Sequence, residues 1–464
     1  MTYIGLHMNS IESKTLLGEK ICDFFHHSLF DIPFPLTEKI LRFEIEINAL
    51  NLIDWLHNQK DSTKIYWLNR EETFEVAGIG EADVICGNSE IDEAALFSQL
   101  RLRLSDEFKN VRYYGGIRFT TENKPDDNWK KFASFRFIIP RIEIVRVGCQ
   151  TYLACNLRIE PTKNPSDQLE EIVAELNALC FDNQPASDTV PHILSHKEVP
   201  DKAVWEKNIN VAFDILSHEE VKKIVLARKS IFKFSTHLDP IALLRRLKPT
   251  SPESFHFCFQ IDEKCAFIGA SPERLYRREG QQINSEAIAG TCRRGNSPLE
   301  DYELGIKLLM CDKNRHEHRF VLEFIKNAFN HLCTSVQTDT ETSILKLPNV
   351  QHLYNHFEGT LANGITDAEI LSTLHPTPAV GGYPKEKALL EIEKLEPFDR
   401  GWYAAPVGWV GKNDVEFAVA IRSGLVKEHE LALFSGAGIV AGSTADEEWS
   451  EIDHKLSNFI KVIQ

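Results

Sequence analysis

The sequence predicts an α+β protein built mainly on antiparallel sheets. In the first half, segments that alternate apolar and polar residues outnumber those with helical period. In the second half, strand-like runs are interrupted by only a few helical stretches. The chain is 43% hydrophobic and 26% charged over 464 residues, ordinary globular values that leave no room for large-scale disorder.

The first alternating run is LRFEIEI at 41–47, where successive side chains point to opposite faces of a strand. KIYWLNR (64–70), TFEVAGIG (73–80) and RFIIPRIEIVRV (136–147) repeat the pattern. Apolar residues three and four apart predict helices over 91–104 and 167–179. The polar, proline-bearing stretch DNQPASDTVPHILSHKEVPDK (182–202) marks a boundary between a first half, residues 1–195, and a second, residues 196–464. Beyond it come a helix containing Trp205, a strand over 222–234 and a hairpin within 269–295. Two consecutive helices over 298–332, strands around 402–440 and a final helix from 445 complete the chain. The length exceeds the roughly 100 to 200 residues of one domain, so the halves form either two domains or one large body. The sequence contains no internal repeat and no low-complexity segment.

The formal net charge of −16, with no block of basic residues, argues against a nucleic-acid partner, which needs clustered Lys and Arg. An anionic small substrate would need a local basic pocket. No apolar run reaches the length of a membrane span, and the opening MTYIGLHMNSIESK lacks the order of a signal peptide, so a cytoplasmic location is expected. The ten cysteines include no C-x-x-C pair and mostly sit in apolar runs, as Cys180 and Cys258 do, so disulfides and zinc are not expected. Neither GASPE nor AGSTADEE has the spacing of a phosphate-binding loop, and no serine sits in G-x-S-x-G.

Three charged positions interrupt apolar patterns. Lys223 shares a strand face with Val225 and Ala227, so it is either the solvated first residue of its strand or a desolvated base. Glu317 extends a helical stripe with Val321, Phe324 and Ala328, which makes it an inward-facing carboxylate or the solvated end of the stripe. Glu448, Glu451 and Lys455 share one face of the last helix, where acidic residues either hold a metal or complement the helix dipole. If Glu317 and the C-terminal glutamates meet, the result is an all-oxygen site suited to Mg²⁺. His316 and His318 point to different helix faces and do not form a zinc pair.

KKIVLAR, GASPERL, EAIAGTCRRG, CDKNRHEH, VQHL, HPTPAVGGYPKEKA, AVAIRSGLV and FSGAGIVAGSTADEEWSEIDHK, in that order, resemble the chorismate-utilising enzymes, most closely the isochorismate synthases. The strong resemblance covers about residues 200–464, and IYWLNREETFEVAGIGEA is similar to the family's early strand pair. The resemblance implies one body of two stacked, mainly antiparallel sheets with outer helices and a deep central cleft. It implies Lys223 as the general base that activates water and Glu273 as the general acid, roles that burial in a cleft supports. It further implies Mg²⁺ on Glu317, Glu448 and Glu451, with Arg422 and Lys455 as a cationic clamp for carboxylates. Gly290, Gly436 and Gly438 match positions of close backbone approach to the ligand. His352 matches a histidine beside the leaving C4 hydroxyl.

Within the family, ammonia-using members carry a glutamine at the position of Lys223, so Lys223 implies water as nucleophile and no glutaminase subunit. Ala289 excludes a covalent-lysine route. Cys292 and the Ile452-Asp453 pair depart from the usual family residues. The implied activity is Mg²⁺-dependent conversion of chorismate to isochorismate by a monomer or homodimer. Menaquinone biosynthesis is the pathway expected, ahead of siderophore synthesis. Salicylate synthases share the lysine and glutamate, and a non-catalytic chorismate-binding paralogue is the alternative of another class. Arg293 and Arg294 receive no role.

Overall fold

The computed structural model describes residues 10–27, 40–88, 92–120, 126–159, 164–181 and 189–464. Among them, antiparallel pairing joins the strands into two large sheets. The first runs Ile40–Ile47, Gln150–Arg158, Ile142–Val147, Phe74–Ile79, Lys64–Leu68, Phe255–Asp262, Cys265–Ser271, Ser423–Lys427, Glu430–Ile439, Lys223–Phe234 and Gly382–Tyr383. The second runs Cys333–Thr338, Val350–Leu361, Gln282–Arg293, Arg274–Glu279, Asp414–Val419, Pro406–Val410, Tyr113–Ile117, Phe135–Ile139 and Asp83–Gly87. Strands from before and after residue 195 interleave in both. Lys64–Leu68 pairs with Phe255–Asp262 in the first sheet, and Tyr113–Ile117 with Pro406–Val410 in the second.

Strand alternation explains the two cores. Ala227, Trp67, Phe257 and Phe267 of the first sheet pack with Trp409, Phe417 and Phe357 of the second, in one cluster between the sheets. The alternate residues Ile224, Leu226 and Ile268 face the other way, under helices that include Lys202–Ser217, Pro240–Leu247 and Ala445–Ile463. Each such side chain removed from water contributes about 1.5–3 kcal/mol, so slipping a strand by one residue would cost several of them at once. Lys223 therefore lies on the inner face with Ala227, and it is fully buried.

Several local expectations differ from the structure. The run over 136–147 is two strands, Phe135–Ile139 and Ile142–Val147, which lie in different sheets. Pro140 between them has no N–H to donate to a ladder, so the pattern continues while the pairing cannot. The boundary stretch over 182–202 contains a strand, Ile193–Val199, paired with Lys229–Phe234, while residues 182–188 lie outside the described residues. The first predicted helix is Glu93–Arg103, capped by Asp92, with residue 91 outside the described residues; the second is Pro165–Ala178. Of the opening segment, residues 1–9 lie outside as well, and helix Ser10–His27 follows.

Short corners carry the chain from one sheet to the other at 80–82, 140–141, 272–273 and 420–422. Two of these corners are bonded to each other. Ser271 Oγ donates to the Val419 carbonyl at 2.6 Å, Val419 N donates to the Glu273 carbonyl at 3.0 Å, and Ala270 N donates to the Arg422 carbonyl at 3.1 Å. Glu273 and Arg422 thus sit on adjacent corners between the sheets.

Candidate active site

Every candidate residue except Glu448 lines one cavity between the two sheets. Its floor is the pairing of Lys223–Phe234 with Glu430–Ile439, where Val225 lies opposite Gly438 and Ala227 opposite Gly436. The glycines are required by space. A Cβ on Gly438 would meet Glu317 Oε1 at 2.5 Å and Lys223 Cε at 2.7 Å, and one on Gly436 would meet the Tyr403 hydroxyl at 2.9 Å. Glycine here lets the Lys223 ammonium reach Glu317 at 3.0 Å. Burial alone would push the Glu317 carboxyl up, but Lys223, with Lys455 and Lys313 beyond it, holds it below its ordinary value.

Glu273 enters from the 272–273 corner and is 4% exposed. Burial, reinforced by the nearby Glu286 charge, pushes its carboxyl up to about 8, against the opposing pull of Lys223, Lys455 and Arg422. A carboxyl with that value holds its proton at neutral pH and serves as an acid.

Arg422 occupies the neighbouring corner with φ +48°, in the left-handed region that a residue with a Cβ adopts at a cost. The corner bonds above hold it there. One of its guanidinium nitrogens lies 2.9 Å from His352 Nε2, while His352 Nδ1 lies 3.1 Å from Thr291 Oγ1 and 3.3 Å from the Gly290 carbonyl. Arginine can only donate, so Nε2 accepts and the imidazole carries its proton on Nδ1. Burial, then Arg422 and Lys455, push His352 well below its ordinary value, consistent with that neutral tautomer. Among the described residues, Arg422 Nε has no hydrogen-bond partner although it is buried, and burial lowers the guanidinium to about 10. Such a cationic donor lining a cavity is suited to an anionic group on a ligand.

Gly290 sits at a register shift between Gln282–Arg293 and Val350–Leu361, with φ +71°. This glycine bulge bends the strand and turns the Gly290 carbonyl toward His352. On the opposite side, Lys455 donates to the Gly436 carbonyl at 2.9 Å and pairs with Glu451 at 2.7 Å.

Magnesium, expected from the resemblance, needs oxygen donors. Glu317, Glu448 and Glu451 offer carboxylates with no softer ligand, so the donor chemistry fits a hard divalent cation. The side chains do not converge on one point: among the described residues, no three His, Cys, Asp or Glu are gathered to hold an ion. Each carboxylate instead holds a lysine. Glu317 pairs with Lys223, Glu451 with Lys455, and Glu448 with Lys313 at 2.9 Å. Burial and the Glu451 charge raise the Glu448 carboxyl, with Lys313 opposing. A cation reaching these carboxylates would have to compete with those ammonium groups.

Sequence reasoning missed Tyr403 and Lys313. Tyr403 lines the cavity, its ring stacked on Phe434 with centroids 5.5 Å apart. No motif contained it, and it reaches the site only through the turn that follows Arg400. Lys313 lies four residues before Glu317, on the same helical face, a spacing that could have pointed to it. His318 is buried against Asn355 at 2.8 Å and His316 is exposed, so neither enters the cavity. Arg293 pairs with Glu300, and Arg294 with Asp301 at 2.6 Å, which ties the end of the hairpin to the next helix. Ile452 is fully buried in the core and Asp453 pairs with Arg228.

The description of the chorismate binding enzyme family matches residues 35–464. Isochorismate synthase 2, chloroplastic, of Arabidopsis thaliana is 33% identical over 462 residues, covering 93% of this chain and 82% of that protein. Isochorismate synthase MenF of Escherichia coli (strain K12) is 30% identical, covering 94% of each chain. The solved structure of MenF, the menaquinone-specific isochorismate synthase from Escherichia coli, superposes with a TM-score of 0.84 at 27% identity, covering 98% of this chain and 100% of that one.

Proposed function

The chain belongs to the chorismate binding enzyme family, and on that premise we propose that its cavity converts chorismate to isochorismate. The protein is an isochorismate synthase, an isomerase. The observation that carries the reading is one cavity lined by the buried Lys223, Glu273 and Arg422, where burial raises the Glu273 carboxyl. Lys223, as the neutral amine left once its ammonium has given up a proton, takes a proton from water as the water oxygen bonds to C2 of the ring. Glu273 gives a proton to the C4 hydroxyl as the C4–O bond breaks and both ring double bonds shift, releasing water. Arg422 and Lys455 bind substrate carboxylates, and His352, neutral and bridged to Arg422, orients that guanidinium. Glycine at 436 and 438 leaves room for the ring.

Magnesium is part of this proposal. Glu317, Glu448 and Glu451 would hold it, and when bound it supplies a positive centre for a substrate carboxylate beside otherwise acidic walls. The reading extends to menaquinone biosynthesis, supported by similarity to the menaquinone-specific enzyme along nearly the whole chain, and to action in the cytoplasm. No helix among the described residues is long and apolar enough to cross a membrane.

Purified protein incubated with chorismate and Mg²⁺, its products separated by chromatography, is expected to yield isochorismate, and a chelator is expected to stop it. No isochorismate contradicts the reading. Salicylate with pyruvate indicates the sister activity, and anthranilate on adding ammonium overturns the role of Lys223. Continued turnover in chelator removes magnesium from the account.

A further inference from the structure

Next to Glu273, and not lining the cavity, lies a mostly buried cluster of charge that none of the roles above uses. Glu286, on the second strand of the hairpin, has a fully buried side chain. Its carboxylate accepts from Arg70 Nη1 at 2.7 Å, from Arg70 Nη2 and from Arg274 Nη1 at 3.1 Å. Arg70 Nη1 also donates to the Pro272 carbonyl at 3.0 Å. The residues immediately before and after Glu273 are therefore both tied to one carboxylate, Pro272 through Arg70 and Arg274 directly. Arg274 is held further by Glu71 at 2.7 Å and Glu416 at 3.2 Å. Arg70 and Glu71 come from the first half of the chain, about 200 positions away.

We propose that Glu286, clasped by Arg70 and Arg274, is the positioning residue of the acid: it fixes the corner that presents Glu273 and keeps a second negative charge beside it. Glu286 touches no substrate in this arrangement and acts only through Glu273. The inference rests on the reading of Glu273 as the acid of the isochorismate synthase reaction.

The electrostatics agree. Burial is the first cause of Glu273's raised value and the Glu286 charge the second. Lys223 on the first-sheet strand, Lys455 on the last helix and Arg422 on the adjacent corner all pull the other way, and the Tyr403 phenol faces the same carboxyl. Without Glu286, three cations face Glu273 with no countercharge behind it. The acid then releases its proton at lower pH.

The test is a titration of Glu273 in the free protein, followed through the infrared carbonyl band of its protonated carboxyl and assigned by the loss of that band in Glu273→Gln. This readout needs no turnover, so it stands even where the proposed activity fails. Glu286→Gln is expected to move the midpoint down by about one pH unit, as loss of a neighbouring like charge does. Arg70→Gln removes a cation from the opposite side of the cluster and is expected to move it up. The alkaline limb of kcat should move with each midpoint while KM for chorismate stays fixed. A purely structural clasp would weaken both variants alike, without displacing the limb in opposite directions. Midpoints that stay in place, or that move the same way in both variants, overturn the proposal. Should Glu286→Gln fail to fold, the upward shift in Arg70→Gln decides alone, and its absence overturns the proposal.

Discussion

Replacing Lys223 with Ala is expected to reduce turnover of chorismate by a factor of about 10²–10⁴, the range that a positioned general base contributes, while binding persists. The physical case is positional. Lys223 is fully buried on the inner face of its strand, and Gly438 on the neighbouring strand leaves room for its side chain to reach Glu317 at 3.0 Å. A water beside this amine has few other groups to take its proton: the histidine lining the cavity, His352, has its Nε2 lone pair engaged by Arg422. Removing the amine leaves Glu317 facing Lys455 and Lys313, so the carboxylate is not stranded and the fold should hold. Calorimetric titration with chorismate beside steady-state rates separates the two effects. An unchanged rate rules out Lys223 as the base; lost binding with lost rate makes it a substrate ligand.

Replacing Glu273 with Gln is expected to cost a comparable factor in turnover, and also to make the protein more stable. The folded chain keeps a proton on Glu273 up to about pH 8, whereas the unfolded chain releases it in the ordinary carboxylate range near 4.5. Across that interval the folded state binds more protons than the unfolded one, so its stability falls as pH rises. Glutamine has nearly the same shape and cannot ionise. The variant should therefore unfold at a higher temperature than the parent at pH 8, with the difference shrinking toward pH 5, a pattern that thermal unfolding at several pH values will reveal. Lower activity joined to higher stability is what a strained, desolvated acid produces. A variant less stable than the parent at pH 8 would show that Glu273 sits ionised in the folded protein.

How much of this was readable beforehand depends on distance along the chain. The motifs around Lys223, Glu273, Gly290, Glu317, Arg422 and Gly438 are short and contiguous, and the structure brings all six to one cavity. Alternation predicted the strands because a half-buried surface imposes period two. It could not reveal that Pro140 carries the chain from one sheet to the other, since the same apolar alternation satisfies both sheets. The strand Ile193–Val199 hid inside a polar stretch because it pairs at an edge with much of its length exposed. Glu448 was grouped with Glu451 by helical spacing and by the family resemblance, and the lysine that holds it comes from a helix 135 positions earlier. The Arg70 clasp on Glu286 spans 216 positions, and no local pattern encodes such a contact.

In the proposed mechanism water adds at C2 while the C4 hydroxyl leaves with a proton from Glu273. Isochorismate formed at initial rate in ¹⁸O-enriched water tests it most directly, with mass spectrometry locating the label. One ¹⁸O per isochorismate is expected, carried at C2. Unlabelled isochorismate would mean that the original C4 oxygen migrates, which contradicts the assignment of Lys223 and Glu273 as base and acid.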